Sequence, residues 1–168
     1  MSDAHLVLNA ATDDEAARLL ARCCGARRWV QGLVEQRPFA SRAALDAAAD
    51  ELWAQLARED YVEAFAHHPR IGDASANERH RPTADWSRQE QSASSTANAA
   101  TAEALARANA AYEARFGFVF LLCATGRSAA EILRSLESRL DNDPETELRV
   151  AAGELAQITR LRLDKLTP

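Results

Sequence analysis

The sequence predicts an all-α protein: a single-domain, compact bundle of about eight to ten short helices over residues 1–168. Three observations carry this expectation. Alanine is abundant and β-branched residues are few, so helix propensity is high almost throughout. Helix start and stop signals recur along the chain. No stretch reads as a strand with an evident partner.

Thr12 followed by Glu15 is a capping box, and Gly25 follows the apolar positions Leu19, Leu20, Cys23 and Cys24. Residues 26–36 place Trp29, Val30, Leu33 and Val34 on one face and end before Pro38. Ser41 is a candidate N-cap for a helix carrying Leu45, Ala48, Ala49, Leu52, Trp53 and Leu56. Asp60 with Glu63 can cap a short helix that presents Val62, Phe65 and Ala66, ended by Pro69 because the residue before a proline is disfavoured in helical geometry. Residues 70–82 hold Gly72, Asp73, Asn77 and Pro82 without hydrophobic periodicity and read as a loop, long enough to suggest function. A helix starts near Thr83, and the run Ser92–Thr96 weakens or breaks it. The next carries Leu105, Tyr112 and Phe116 and stops at Gly117. Phe118–Ala124 is a continuous apolar run, and with no partner strand in view it reads as buried helix. Ser128 with Glu131 caps a helix bearing Ile132, Leu133, Leu136 and Leu140. A turn at 141–144 leads into a last helix from Pro144 to about Leu166, striped by Leu148, Ala152, Leu155, Ile158 and Leu166.

Of the 168 residues, 47% are hydrophobic and 27% charged, which suits a globular chain with a real core. A net charge of −5 argues against nucleic acid as a partner, and no apolar run is long enough to span a bilayer. The first residues lack the basic-then-apolar order of a signal peptide, and the last lack an SKL-type address, so the expected location is cytoplasmic. Cys23, Cys24 and Cys123 have no zinc-like spacing and read as reduced core thiols, with Cys123 also placed to line a pocket.

Chemistry concentrates between Tyr61 and Gln91. His68 ends a helix, is followed by the rigid Pro69 and faces a loop, where an imidazole with a reference pKa of about 6.5 can exchange a proton. Ser87, Glu90 and Gln91 sit at spacings of three and four, on one helix face, offering a hydroxyl, a carboxylate and an amide to a planar polar ligand. A satisfied helix-terminal histidine and a solvated helix face are the plain alternatives for both features. His67 points to another face. Arg162 falls on the apolar stripe of the last helix, where a guanidinium needs a carboxylate or an anionic ligand, while Arg160 points elsewhere. No GxGxxG, P-loop, GxSxG or HExxH motif is present.

These residues, together with the runs CCGARRWVQGLVEQRPFAS, AHHPRIGD, SRQEQ, NAAYEARFGFVFLLCATGRS and ITRLRLDKL, give a chain that resembles the 2-oxo-4-hydroxy-4-carboxy-5-ureidoimidazoline (OHCU) decarboxylases over most of its length. HPRIG, SxxEQ and FGFVF in that order are specific in combination. The resemblance implies an all-helical lyase of urate catabolism, usually a homodimer, with no cofactor and no metal. It implies that His68 is the catalytic acid with Glu90 acting beside it. It places Pro69, Ser87, Glu90, Gln91, Phe120, Leu121, Leu122, Cys123, Ala124 and Arg162 around the substrate. Ile71 stands where leucine is common, and the absent peroxisomal tail fits a bacterial-type cytoplasmic enzyme. Association with a hydroxyisourate hydrolase is compatible with this reading. Two other classes stand beside it: a metal-dependent hydrolase or lyase using His67, His68, Asp73, His80 and Glu90, and a non-catalytic helical interaction module. The module requires His68 and Glu90 to be exposed and far apart.

Overall fold

A computed structural model describes residues 3–72, 84–90 and 98–166. Nine helices and no strand occur among the described residues: α1 (Ala4–Ala10), α2 (Asp13–Cys23), α3 (Arg27–Glu35), α4 (Arg42–Ala54), α5 (Arg58–Ala66), α6 (Ala84–Glu90), α7 (Ala99–Phe116), α8 (Ala129–Arg139) and α9 (Pro144–Asp164). The chain divides into two compact units, residues 1–67 with 156–168, and residues 68–155.

The expected capping signals operate. Thr12 and Glu15 form the capping box of α2, Ser128 and Glu131 that of α8, and the Ser41 side chain accepts from the Ala44 N–H at 3.1 Å to open α4. Each satisfies backbone donors that a helix start leaves without intrahelical partners. Asp60 acts differently from the expectation. It lies inside the first turn of α5, whose N-cap is Ala57, and its carboxylate accepts from the Ala57 N–H at 2.9 Å. α1 has no comparable start signal, since Asp3 makes no side-chain cap bond; burial of Ala4 and Leu8 is what holds it.

In the first unit α3 is central, packing on α2, α4 and α5, while α1 lies against α2 and α4. Its core is Leu8, Leu20, Trp29, Leu33, Leu45, Phe65 and Leu163. The buried Trp29 indole donates to the Ala49 carbonyl at 3.0 Å, so the ring's single polar group is satisfied. Asn9 and Phe39 exchange two bonds, amide to carbonyl at 2.8 Å and backbone N–H to side-chain oxygen at 2.9 Å.

In the second unit α7 packs on α8 around an aromatic cluster, with Tyr112 edge-on to Phe118 and Phe120 at centroid distances of 5.9 and 5.2 Å. α7 ends where expected. Gly117 adopts φ 79°, a left-handed conformation that favours glycine, and its N–H donates to the Glu113 carbonyl at 2.8 Å.

Residues 118–124 overturn one expectation: they are not helical. The left-handed turn at Gly117 breaks the helical path at one end, and Gly126, at φ 79°, turns the chain at the other. Phe118, Phe120, Leu121, Leu122 and Ala124 are buried. With no strand among the described residues, the segment takes backbone partners from side chains. Arg139 Nη1 donates to the Leu121 carbonyl at 2.7 Å, and Glu154 Oε2 accepts from the Cys123 N–H at 2.8 Å. Buried peptide groups must be paired by something, and here helices α8 and α9 supply the partners.

Candidate active site

His68 opens the second unit immediately after α5, and it is 8% exposed. Pro69 and Ile71 are buried with it, while Arg70 points to solvent. Two contacts tie this loop to α7. The Ile71 carbonyl accepts from Asn109 Nδ2 at 3.1 Å, and the Arg70 guanidinium pairs with Glu113, Nη2 to Oε2 at 2.7 Å. Gly72 follows at φ 84°, turning the chain.

α6 has an inverted arrangement. Asp85, Arg88 and Gln89 are exposed, whereas Ser87 (1%) and Glu90 (9%) are buried. A spacing of three puts the buried pair on one face. A short helix that turns a hydroxyl and a carboxylate inward is not a solvated face, because burying such groups costs free energy unless polar partners meet them. Gln91 lies outside the described residues, as do Asp73 and His80.

Glu90 also acts on the 118–124 segment. The Cys123 thiol is pushed up from its usual pKa by burial first, then by the carboxylate of Glu154, with Glu90 adding in the same sense. Two carboxylates therefore act on one half-buried thiol, which stays protonated at neutral pH. Phe120, Leu121, Leu122 and Ala124 are each at most 5% exposed. The segment is backed by a buried polar network centred on Glu147, which is fully buried. Its carboxylate accepts from the Tyr112 hydroxyl, from Arg139 Nε at 2.9 Å and Nη2 at 2.5 Å, and from Asn142 Nδ2 at 2.8 Å. The Arg139 guanidinium also lies 4.5 Å from the centroid of the Phe120 ring. The Tyr112 hydroxyl is held far above its usual pKa by burial and by this carboxylate.

The remaining predicted residue, Arg162, belongs to the first unit. It is 2% exposed and donates to the Arg22 carbonyl at 3.4 Å. Cys23 and Cys24, free thiols nearby, are pushed up to about 12 by burial, with the Arg162 charge opposing. Arg160 is exposed and pairs with Asp50 at 2.6 Å, so of the two arginines Arg162 is the buried one. His67 has a structural role. Its Nδ1 lies 2.9 Å from the Glu63 carbonyl, and its ring packs so closely on Gly25 that a Cβ there would lie 2.4 Å from it. Two surface grooves of about 740 and 550 Å³ also occur in this unit, and neither contains a residue expected at the substrate.

Burial of both His68 and Glu90 contradicts what the non-catalytic module required. Among the described residues no group of three His, Cys, Asp or Glu side chains is placed to hold a metal ion. The sequence reading passed over Asn109, Arg139, Glu147 and Glu154. A signal existed for Glu147, since it shares spacings of four with the buried Ala151 and Leu155. The same signal existed for Asn109, four residues after the buried Leu105 and three before the buried Tyr112, and for Arg139, three after the buried Leu136.

Comparison with known proteins agrees with the geometry. The family model described as OHCU decarboxylase matches residues 9–164. A uric acid degradation bifunctional protein of Arabidopsis thaliana is 38% identical over 145 residues, covering 86% of this chain and 45% of that protein. The chain thus spans less than half of that relative. A 2-oxo-4-hydroxy-4-carboxy-5-ureidoimidazoline decarboxylase of Amia calva is 31% identical over 130 residues, covering 77% of this chain and 74% of its own. A crystal structure of an OHCU decarboxylase in the presence of (S)-allantoin superposes with a TM-score of 0.75 at 32% identity, covering 92% of this chain and 97% of that one. The α-helical architecture, the buried histidine and carboxylate, and a family match across nearly the whole sequence lead to one assignment: this chain belongs to the OHCU decarboxylase family.

Proposed function

We propose that this protein decarboxylates OHCU to (S)-allantoin and CO2 in urate catabolism, without a cofactor, as one catalytic domain over residues 1–168. The observation that carries the reading is the inward-facing polar pair of α6, Ser87 and Glu90, in the same unit as the buried His68. The substrate is a small polar ring with a carboxylate beside a hydroxyl-bearing carbon. Breaking the bond to the carboxylate releases CO2 and leaves an electron pair, which moves into the adjacent carbonyl. The oxyanion that develops is stabilised by donors already oriented before the reaction. The carbon is then protonated on one face, and His68 supplies or relays that proton. Glu90 orients His68 or binds the substrate hydroxyl, and its charge disfavours the substrate carboxylate. Ser87 and Gln91 hold ring and ureido groups, Pro69 and Phe120–Ala124 line the ring, and Arg162 holds an anionic or carbonyl group. Orientation of this kind is worth several kcal/mol, up to roughly 7–11 kcal/mol in the best intramolecular cases.

The test couples urate oxidase and hydroxyisourate hydrolase to the pure protein and follows allantoin by circular dichroism. Wild type gives the S enantiomer faster than the uncatalysed background. His68→Asn, with an unchanged far-ultraviolet spectrum, gives the slow racemic product. Full stereospecific activity in His68→Asn would refute the assignment of the acid. We further propose a cytoplasmic homodimer acting beside a hydroxyisourate hydrolase. The bifunctional name of the Arabidopsis relative supports such an association, and no described helix is long and apolar enough to cross a membrane.

A further inference from the structure

We infer that Asn109 is a positioning residue that sets the place of His68 through the carbonyl of Ile71, an inference that rests on the catalytic reading of His68. Asn109 sits in the body of α7 and is 3% exposed. Asparagine is an indifferent helix former, and a buried amide is costly unless its hydrogen bonds are met. This amide is only half met: Oδ1 is buried and accepts no hydrogen bond among the described residues. Its one bond runs from Nδ2 to the Ile71 carbonyl at 3.1 Å, joining α7 to a residue 38 positions away. An apolar residue would serve packing alone better, so the position is explained by what the single bond does.

That bond falls three residues after His68, across a stiff connection. Pro69 fixes its own φ and restricts the backbone of His68 before it. Pro69 and Ile71 are both buried, so the stretch cannot swing freely. One turn further along α7, Glu113 holds the exposed Arg70 side chain, Nη2 to Oε2 at 2.7 Å. The two tethers reach the loop from the same helix face, four residues apart. Asn109 fixes the backbone from inside and Glu113 fixes a side chain from outside. Displacement of a catalytic group by about 1 Å can cost on the order of a hundredfold in rate, so a tether at this distance bears directly on turnover.

The experiment compares wild type, Asn109→Leu, Glu113→Ala and His68→Asn on freshly generated OHCU, measuring kcat and KM separately, with thermal melting as the check on folding. Asn109→Leu keeps the volume and removes the donor. Its kcat falls about tenfold or more while KM moves less than about threefold, the pattern of a lost transition-state alignment. Glu113→Ala lowers kcat about threefold, because only the outer tether is gone. The imidazole C–H resonance of His68 also shifts in Asn109→Leu, a change that a purely structural role in α7 would not bring. If folded Asn109→Leu keeps kcat within about twofold of wild type, the inference is overturned. If Asn109→Leu does not fold, Glu113→Ala decides, and an unchanged kcat there overturns it equally. Inactive wild type, or an active His68→Asn, would instead defeat the catalytic reading itself.

Discussion

Replacing Glu147 by Gln tests how much of the second unit depends on one buried charge. Glu147 is fully buried, and its carboxylate meets Arg139, Tyr112 and Asn142. Arg139 is itself 8% exposed. Glutamine keeps the volume but leaves the guanidinium without its counter-ion and turns an acceptor into a donor. Breaking a buried ion pair from one side costs about 3–5 kcal/mol, because the other charge stays buried and uncompensated. For a chain of this size each kcal/mol moves the melting temperature by about 2–4 °C, so the expected drop is roughly 6–20 °C. Urea denaturation checks the free energy directly, read at an unchanged m-value. A loss below about 1 kcal/mol would refute the reasoning, since it would mean that solvent reaches Arg139. The double variant Glu147→Met with Arg139→Leu removes both charges. It recovers only part of the loss, because the Leu121 carbonyl has lost its donor and the Tyr112 hydroxyl and Asn142 amide have lost their acceptor.

Three further outcomes can be checked. Glu15 and Glu131 titrate below the usual 4.5, held down first by the Thr12 and Ser128 backbone N–H groups and then by their hydroxyls. Depressed carboxylates stabilise the fold above their unfolded pKa and lose that contribution as pH falls through the folded one, so Glu15→Gln with Glu131→Gln should flatten the decline of stability below pH 4.5. An equally steep decline in the double variant would refute this. Alkylation at pH 8 followed by mass spectrometry should mark Cys123 before Cys23 and Cys24, which are buried and pushed up to about 12; labelling of the pair first would contradict their burial. Arg160→Ala should change stability by no more than about 1 kcal/mol, as its pair with Asp50 is exposed, whereas Arg162→Met should raise KM for OHCU. Equal KM values in the two variants would remove Arg162 from the substrate.

Much of the fold is legible because local rules operate at helix ends. Thr12, Ser41, Ser128 and Gly117 each announce a boundary through a bond that spans three or four residues, which is the range a sequence pattern can express. Phe118–Ala124 failed for the complementary reason. Its conformation is set by Arg139 and Glu154, which lie 18 and 31 residues from the atoms they bind. An apolar run without a strand partner therefore reads as helix, when side chains can stand in for the missing strand. The site was half legible in the same way. His68 and the Ser87–Glu90 pair show in their spacing and in the proline that follows the histidine. Whether they faced inward was a question of burial, and α6, with charges on its other face, gave no apolar stripe to answer it. Asn109 was passed over although it falls on the Leu105, Tyr112 and Phe116 stripe; its inward position was legible in that spacing, while its partner in a distant loop was not.

The non-helical segment after Gly117 has a consequence outside catalysis. FVFLLC is six residues of high β-propensity with no charge, no proline and no glycine, the composition of a self-associating cross-β segment. In the folded chain one arginine and one glutamate hold two of its backbone groups, and Phe118, Phe120, Leu121 and Leu122 are buried, so little of it is offered to another molecule. When the second unit opens, the same six residues become an uncapped edge. The two side-chain clamps thus also guard solubility, and a variant lacking either one would be lost in the cell to aggregation at a destabilisation too small to unfold most of its molecules.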